Sequence, residues 1–111
     1  LPPDGVLRIM VGDRHSLLEA AREAGAEARK GLLGYTPAAA LVFACVSRDL
    51  VLGGHADLHS EELAAVREGL QADVPLFGCL TFGQIGTIGP GLPQFHSKSI
   101  QVCAFSSVST V

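Results

Sequence analysis

The sequence predicts an α/β to α+β fold: a mixed sheet of four to five strands with two helices, in the order β-α-β-α-β-β, the last strands antiparallel. Three features carry that expectation. An apolar stripe repeats at helical period between Arg14 and Leu32. A run of eight residues without a charge, Ala39 to Val46, follows Pro37. Two strand-like runs then flank a glycine-dense crossing between Val74 and Phe105, where five of the thirteen glycines fall from Gly78 to Gly91.

Taken in order, Val6 to Val11 (VLRIMV) reads as a short strand ended by Gly12-Asp13. The helix from about Arg14 to Leu32 can be capped by Asp13 or Ser16, and Ser16 with Glu19 has capping-box spacing. Leu17, Leu18, Ala21, Gly25, Ala28 and Leu32 form its apolar stripe, with Glu19, Arg22, Glu23, Glu27 and Lys30 outward. Its small members allow a close approach to a sheet. Gly34 and Pro37 end the pattern. Ala39 to Val46 then reads as a buried central strand, stopped by Ser47-Arg48-Asp49; Leu50-Val51-Leu52 leads into a turn at Gly53-Gly54. A second helix spans roughly Ser60 to Gln71, with Asp57, His59 or Ser60 as N-cap, and Glu61 and Glu62 suit its first turn. Leu63, Val66 and Leu70 make its stripe, and Pro75 blocks continuation. Leu76 to Phe82 and Ser99 to Ser106 are the last strands; Ile100, Val102 and Ala104 alternate there with Gln101, Cys103 and Phe105. Strand–helix–strand units imply parallel pairing, and the last two strands are expected antiparallel across the glycine-rich loop.

The 111 residues make one domain, 48% hydrophobic and 17% charged, where an average domain carries about 25% charge. With a mean hydropathy of +0.36, some apolar surface is expected to meet a neighbour, either another copy or an adjoining N-terminal domain. The first residue is Leu, which suggests a chain cut from something longer. No run reaches the roughly 18 apolar residues of a membrane span. A net charge of −3, scattered basic residues and no Trp argue against a nucleic-acid face. Cys45, Cys79 and Cys103 are odd in number, and each lies in an apolar run. That pattern argues against a disulfide framework and fits a reducing compartment, and no signal-peptide pattern is visible at the start.

Several residues are candidates for chemistry. Arg48 closes the buried run as a lone guanidinium, which suits either a carboxylate or phosphate anchor or an ion pair with Asp49 or another acid. Cys45 would need His96 or a cation beside it to act as a thiolate; otherwise it is a small buried hydrophobe. Cys79 and Cys103 read as packing residues. His55 and His59 share a helical face with Asp57 or Glu62 only if helical, and Gly53-Gly54 puts His55 in a turn, so no metal site is expected. Gly83-Gln84-Ile85-Gly86 resembles no phosphate loop, since no Gly-Lys-Ser/Thr or helix follows. It forms either bends in a sheet or a loop exposing backbone N–H groups, with the Gln84 amide suited to a zwitterionic or amide-bearing ligand. The ligand-binding set is therefore Cys45, Arg48, Gly83, Gln84, Gly86 and His96, with no catalytic residue, no metal and no cofactor. A small-molecule sensor leads this reading. A ligand-free interaction or scaffold domain is second, and a Cys45/His96 enzyme third.

Three segments in order, LVFACVSR (Leu41 to Arg48), VPLFGCLTFGQIG (Val74 to Gly86) and FHSKSI (Phe95 to Ile100), resemble the C-terminal domain of the FIST family. There an apolar strand ending Cys-x-x-Arg precedes a helix, followed by a P-x-x-G-x-x-x-x-G-E-I-G segment and an F-H-N-x-T strand. The resemblance runs from about Arg8 to Phe105. Gln84 stands where the family has Glu, and Ser97 and Ser99 stand for its Asn and Thr. The resemblance implies a cytoplasmic sensory domain of signal-transduction proteins, set beside an N-terminal partner domain or, in some eukaryotic proteins, an F-box. It also implies small-molecule binding, amino acids among the proposed ligands.

Overall fold

The Asp13 carboxylate starts the first helix. It accepts the Ser16 N–H at 2.8 Å, while the Ser16 hydroxyl accepts the Asp13 N–H at 2.9 Å, a reciprocal cap. The Ser16 backbone bond holds the Asp13 carboxyl below its usual range. A computed structural model describes residues 3–7, 9, 12–51, 56–87, 91–96 and 99–107. Its elements are α1 (Arg14–Gly31), β1 (Pro37–Cys45), α2 (Val46–Val51), α3 (Ala56–Leu70), β2 (Leu76–Thr81), β3 (Gln84–Gly86), β4 (Gln94–His96) and β5 (Ile100–Ser106).

The apolar run of β1 occupies the centre of a three-stranded sheet ordered β2-β1-β5. β2 pairs parallel to it, from Ala40 opposite Leu76 to Cys45 opposite Thr81. β5 pairs antiparallel, with Ala44 opposite Ile100 and Ala39 opposite Phe105. β3 and β4 form a separate antiparallel ribbon in which Gln84 faces His96. Strand side chains alternate between faces. Ala40, Val42 and Ala44, with Ile100, meet Ala21 of α1 and Ala65, Val66 and Leu70 of α3 in the core. The alternate set points away from the helices: Leu41 and Phe43 are half-buried, Phe77 and Phe105 are 62% and 48% exposed, and Cys79 and Cys103 are exposed.

The two long helices touch backbone to backbone. A Cβ on Gly25 would overlap the Val66 carbonyl, and one on Gly69 would overlap the Arg22 carbonyl and crowd the Ala26 nitrogen at 2.8 Å. Arg29 Nη1 donates to the Leu70 carbonyl at 2.8 Å, satisfying an orphan acceptor at the end of α3. Gln71 then takes φ 54°, which stops the helix.

The expected fold class holds, with the mixed sheet and helices in place. Some details differ. Val6, Leu7 and Ile9 belong to no strand, while Arg8, Met10 and Val11 of that expected strand lie outside the described residues. Ser47-Arg48-Asp49 is a turn of helix α2 rather than a plain stop, and the glycine-rich crossing carries the ribbon β3–β4. The last two long strands run in opposite directions but flank β1 instead of pairing, because β1 is apolar on both faces and takes a neighbour at each edge.

The helix contact yields a prediction. Gly69→Ala gains about 1 kcal/mol of helix propensity, but overpacking against backbone costs roughly 3 kcal/mol. A net loss of about 2 kcal/mol in urea unfolding is expected. A neutral or stabilising result would mean the helices do not touch here.

Candidate functional site

Arg48 lies three residues beyond β1, in the first turn of α2, and its guanidinium turns into the helix layer. Nε donates to Glu62 Oε1 at 2.6 Å and Nη2 to the Leu17 carbonyl at 2.8 Å. The two side chains are only 3% and 5% exposed. One guanidinium thus ties α2 to both α1 and α3. Of the two roles open to Arg48 from the sequence, an anion anchor or an ion pair, the pair is the one seen, with an acid fourteen residues on and buried rather than at the surface. Asp49 is engaged elsewhere, with His59 Nε2 at 2.6 Å from its Oδ1.

These two pairs stand at one side of a cavity of about 250 Å³ between α3 and the β1–β2 half of the sheet. Val42, Ala44 and Ile100 form its buried floor, and Leu63 and Leu76 its walls. Phe77 to Leu80 line the outer rim, and His59 and Glu62 supply the titratable groups. Glu62 is 4% exposed and His59 half-buried. A second hollow, about 340 Å³, lies at the other end of the helices by Arg29, Lys30, Tyr35 and Gln71. It has no buried titratable wall like Glu62.

The glycine-rich crossing is fastened to the strand ends on the other face of the sheet. The Ser99 hydroxyl donates to Gln84 Oε1, Gln84 Nε2 donates to Thr81 Oγ1, and Thr81 donates to the Ala44 carbonyl at 3.4 Å. The Cys45 N–H donates to the Ser99 carbonyl at 2.9 Å, closing the connection between β1 and β5. Gln84 is 6% exposed, so its amide is committed on both ends. Gly83 lies under the Phe95 ring and Gly86 against the Gln101 side chain, each too close for a Cβ.

The structure therefore gathers Cys45, Gly83, Gln84, Gly86 and His96 at one end of the sheet and directs the Arg48 guanidinium to the opposite, helical face. Cys45 is 2% exposed with its Sγ 2.9 Å from Ser47 Oγ. His96 Nε2 is buried and has no hydrogen-bond partner among the described residues. His55 lies outside the described residues. Among those that are described, no cluster of three His, Cys, Asp or Glu side chains has a metal-binding arrangement. Two cavity residues, Glu62 and His59, were read from the sequence only as helix-start residues and as metal candidates set aside. Glu62 was accessible from spacing alone: it precedes Val66 by four and Leu70 by eight, and so falls on the buried stripe of α3.

Removing one member of a buried ion pair leaves the other uncompensated, which costs about 3–5 kcal/mol. Arg48→Ala should lower stability by that amount in urea unfolding. The pair replacement Arg48→Met with Glu62→Leu should recover at least half of the loss; failure to recover any would assign the loss to packing rather than charge. Iodoacetamide should modify Cys79 and Cys103 of the native protein and reach Cys45 only on unfolding, as read by peptide mass spectrometry. Rapid native labelling of Cys45 would restore the thiolate reading.

The model of the family described as the FIST C domain matches residues 1–87. No curated protein and no solved structure gives a significant match. The matched span contains α1, β1, α2, α3, β2 and β3, and with them the Arg48–Glu62 pair; the Ser99 partner of Gln84 lies beyond it. The chain belongs to the FIST C domain family, a family of signalling sensory domains.

Proposed function

We propose that this FIST C domain is a non-catalytic ligand-sensing module of cytoplasmic signal transduction, and that its ligand occupies the cavity between α3 and β2. The observation that carries the reading is an apolar hollow with core residues as its floor and Glu62 and His59, bonded to Arg48 and Asp49 respectively, at its polar side. Apolar walls with a few convergent polar groups are the general form of a small-molecule site. The volume, about 250 Å³, is below the usual range of roughly 300–1,000 Å³, and so favours a molecule of amino-acid size.

The polar groups suit the same class. Arg48 engages one Glu62 oxygen, which leaves carboxylate lone pairs for an ammonium; Asp49 engages one His59 nitrogen, leaving Nδ1 toward a second polar group. An apolar side chain would rest on Val42, Ala44 and Leu76. In this reading Arg48 orients Glu62 rather than meeting the ligand. Cys45, Gly83, Gln84, Gly86 and His96 would hold the ribbon and the strand ends that close the sheet behind the cavity.

A second reading, an interaction domain without a ligand, is favoured by the outer face of the sheet. Leu41, Phe43, Phe77, Cys79, Cys103 and Phe105 share it, and none is charged. Such a face fits an N-terminal partner domain or another copy. No helix among the described residues is long and apolar enough to cross a membrane.

Thermal-shift measurements with amino acids and small carboxylates test the sensing reading. A hit should raise the melting temperature, lose at least tenfold in affinity on His59→Ala or Leu80→Trp, and be unaffected by Leu92→Ser on the distant ribbon loop. A hit that keeps its affinity in both cavity variants places the site elsewhere. No hit, together with self-association on sedimentation, favours the interaction domain.

A further inference from the structure

Resting on that ligand-sensing reading, we infer that the cavity takes the free N-terminus of an extended peptide. The peptide backbone pairs on the outer edge of β2 while its first, apolar side chain fills the hollow. Three observations lead there.

First, β2 has an open edge whose hydrogen-bonding groups can be assigned. It ends the three-stranded sheet, with β1 on one side only. The Ala40 N–H donates to the Pro75 carbonyl, and Ala40 stands opposite Leu76. In a parallel ladder a residue bonds to the two neighbours of the one it faces, so Pro75, Phe77, Cys79 and Thr81 turn their backbone groups to β1. Leu76, Gly78 and Leu80 turn theirs outward, with no partner strand among the described residues. Natural edges are blunted by Lys, Pro or a bulge. β2 reads LFGCLT, with neither charge nor Pro, and its register against β1 is unbroken. Phe77 to Leu80 are exposed. An edge of this kind is a template for added backbone.

Second, the edge and the cavity are continuous. Leu76, Gly78 and Leu80 also line the cavity, so a backbone bonded to this edge passes its mouth. Side chains alternate along such a backbone, and every second one turns to the helix side of the sheet, where Val42, Ala44 and Ile100 form the cavity floor. A hollow of about 250 Å³ admits one residue of the added chain.

Third, charge selects the end of the peptide and its direction. Cys45 stands opposite Thr81, and Arg48, three residues beyond Cys45, holds Glu62. Glu62 and His59 thus stand by the Leu80 end of β2. Among the described residues no Lys or Arg lines the cavity. Glu62 has lone pairs to spare beside Arg48, and His59, with its Nε2–H given to the Asp49 carboxylate, presents Nδ1 as an acceptor. Acceptors without a cationic donor suit an ammonium. An N-terminal ammonium at Glu62 sets the peptide antiparallel to β2, running from Leu80 toward Leu76. A C-terminal carboxylate would meet the carboxylate of Glu62 instead.

Isothermal titration calorimetry of the 111-residue chain with the pentapeptide Leu-Thr-Val-Thr-Ser tests the proposal. The peptide should bind about tenfold tighter than free leucine, which makes no ladder, and about tenfold tighter than its N-acetylated form, which lacks the ammonium. Two N-methylated versions read the ladder itself. Methylation of one alternate pair of amides should remove the gain over leucine, and methylation of the other pair should leave it, because only one set faces β2. Equal affinity of peptide and leucine, or of free and acetylated peptide, overturns the inference and leaves the cavity reading standing. No binding by peptide or leucine overturns both. A sedimenting dimer with slowly exchanging Leu76, Gly78 and Leu80 amides gives the edge to a second copy and also overturns the inference.

Discussion

The Arg48–Glu62 pair is the constraint on which the arrangement of layers depends. A charged pair this deep forfeits hydration on both sides, and its mutual attraction offsets that loss only when the remaining donors also find acceptors. Here the Leu17 carbonyl takes one of them. The guanidinium fork can satisfy its geometry in one place only, where the first turn of α2 faces both α1 and α3. An apolar contact could slide along the helix surfaces, whereas a buried bidentate donor cannot. The pair thereby sets the positions of α2 and of the N-terminal half of α3 relative to β1. The cavity beside Glu62 follows from those positions.

A second constraint acts at the other end of the helices. Gly25 and Gly69 bring the backbones of α1 and α3 together where any side chain would push them apart, and Ala21 and Ala65 continue the small-residue contact toward Arg48. Close packing at the glycines and a charged pair farther along leave space between α3 and the sheet near β2, where Leu63 and Leu76 line a hollow instead of filling it. Gly78 belongs to the same design. A Cβ there would run into the Val42 backbone, so only glycine fits at this point of the β1–β2 ladder.

The fold was largely legible in the sequence because its strongest signals are periodic. The stripe of α1, the chargeless run of β1 and the alternation of β5 each identify an element from local pattern alone. The site was less legible. Arg48 drew notice as the first charge after an apolar run, but whether it served a ligand or an internal acid depended on a partner fourteen residues away, across an intervening turn. Glu62 looked like a residue for the first turn of a helix, favourable to the dipole and solvated. Its place on the stripe of Val66 and Leu70 was the overlooked sign. Similarly, glycine density between Gly78 and Gly91 indicated close approach without saying to what. At Gly83 and Gly86 the approach is to Phe95 and Gln101, so those glycines serve packing within the protein.

Gln84 shows why an amide suits that position. Its Nε2 donates to Thr81 while its Oε1 accepts from Ser99, and so it needs both functions at once. The Glu found there in the resembled motif would only accept. Thr81 would then have to turn its hydroxyl toward the carboxylate and release the Ala44 carbonyl, a bond that at 3.4 Å is already long. A carboxylate there would also lose its hydration, since the position is 6% exposed, so the amide is the better fastening between β1, β5 and the ribbon. With both ends of its amide committed to strand residues, Gln84 is suited to anchoring. The two polar clusters thus differ in geometry: the one around Gln84 joins strand ends, whereas Glu62 and His59 line a cavity.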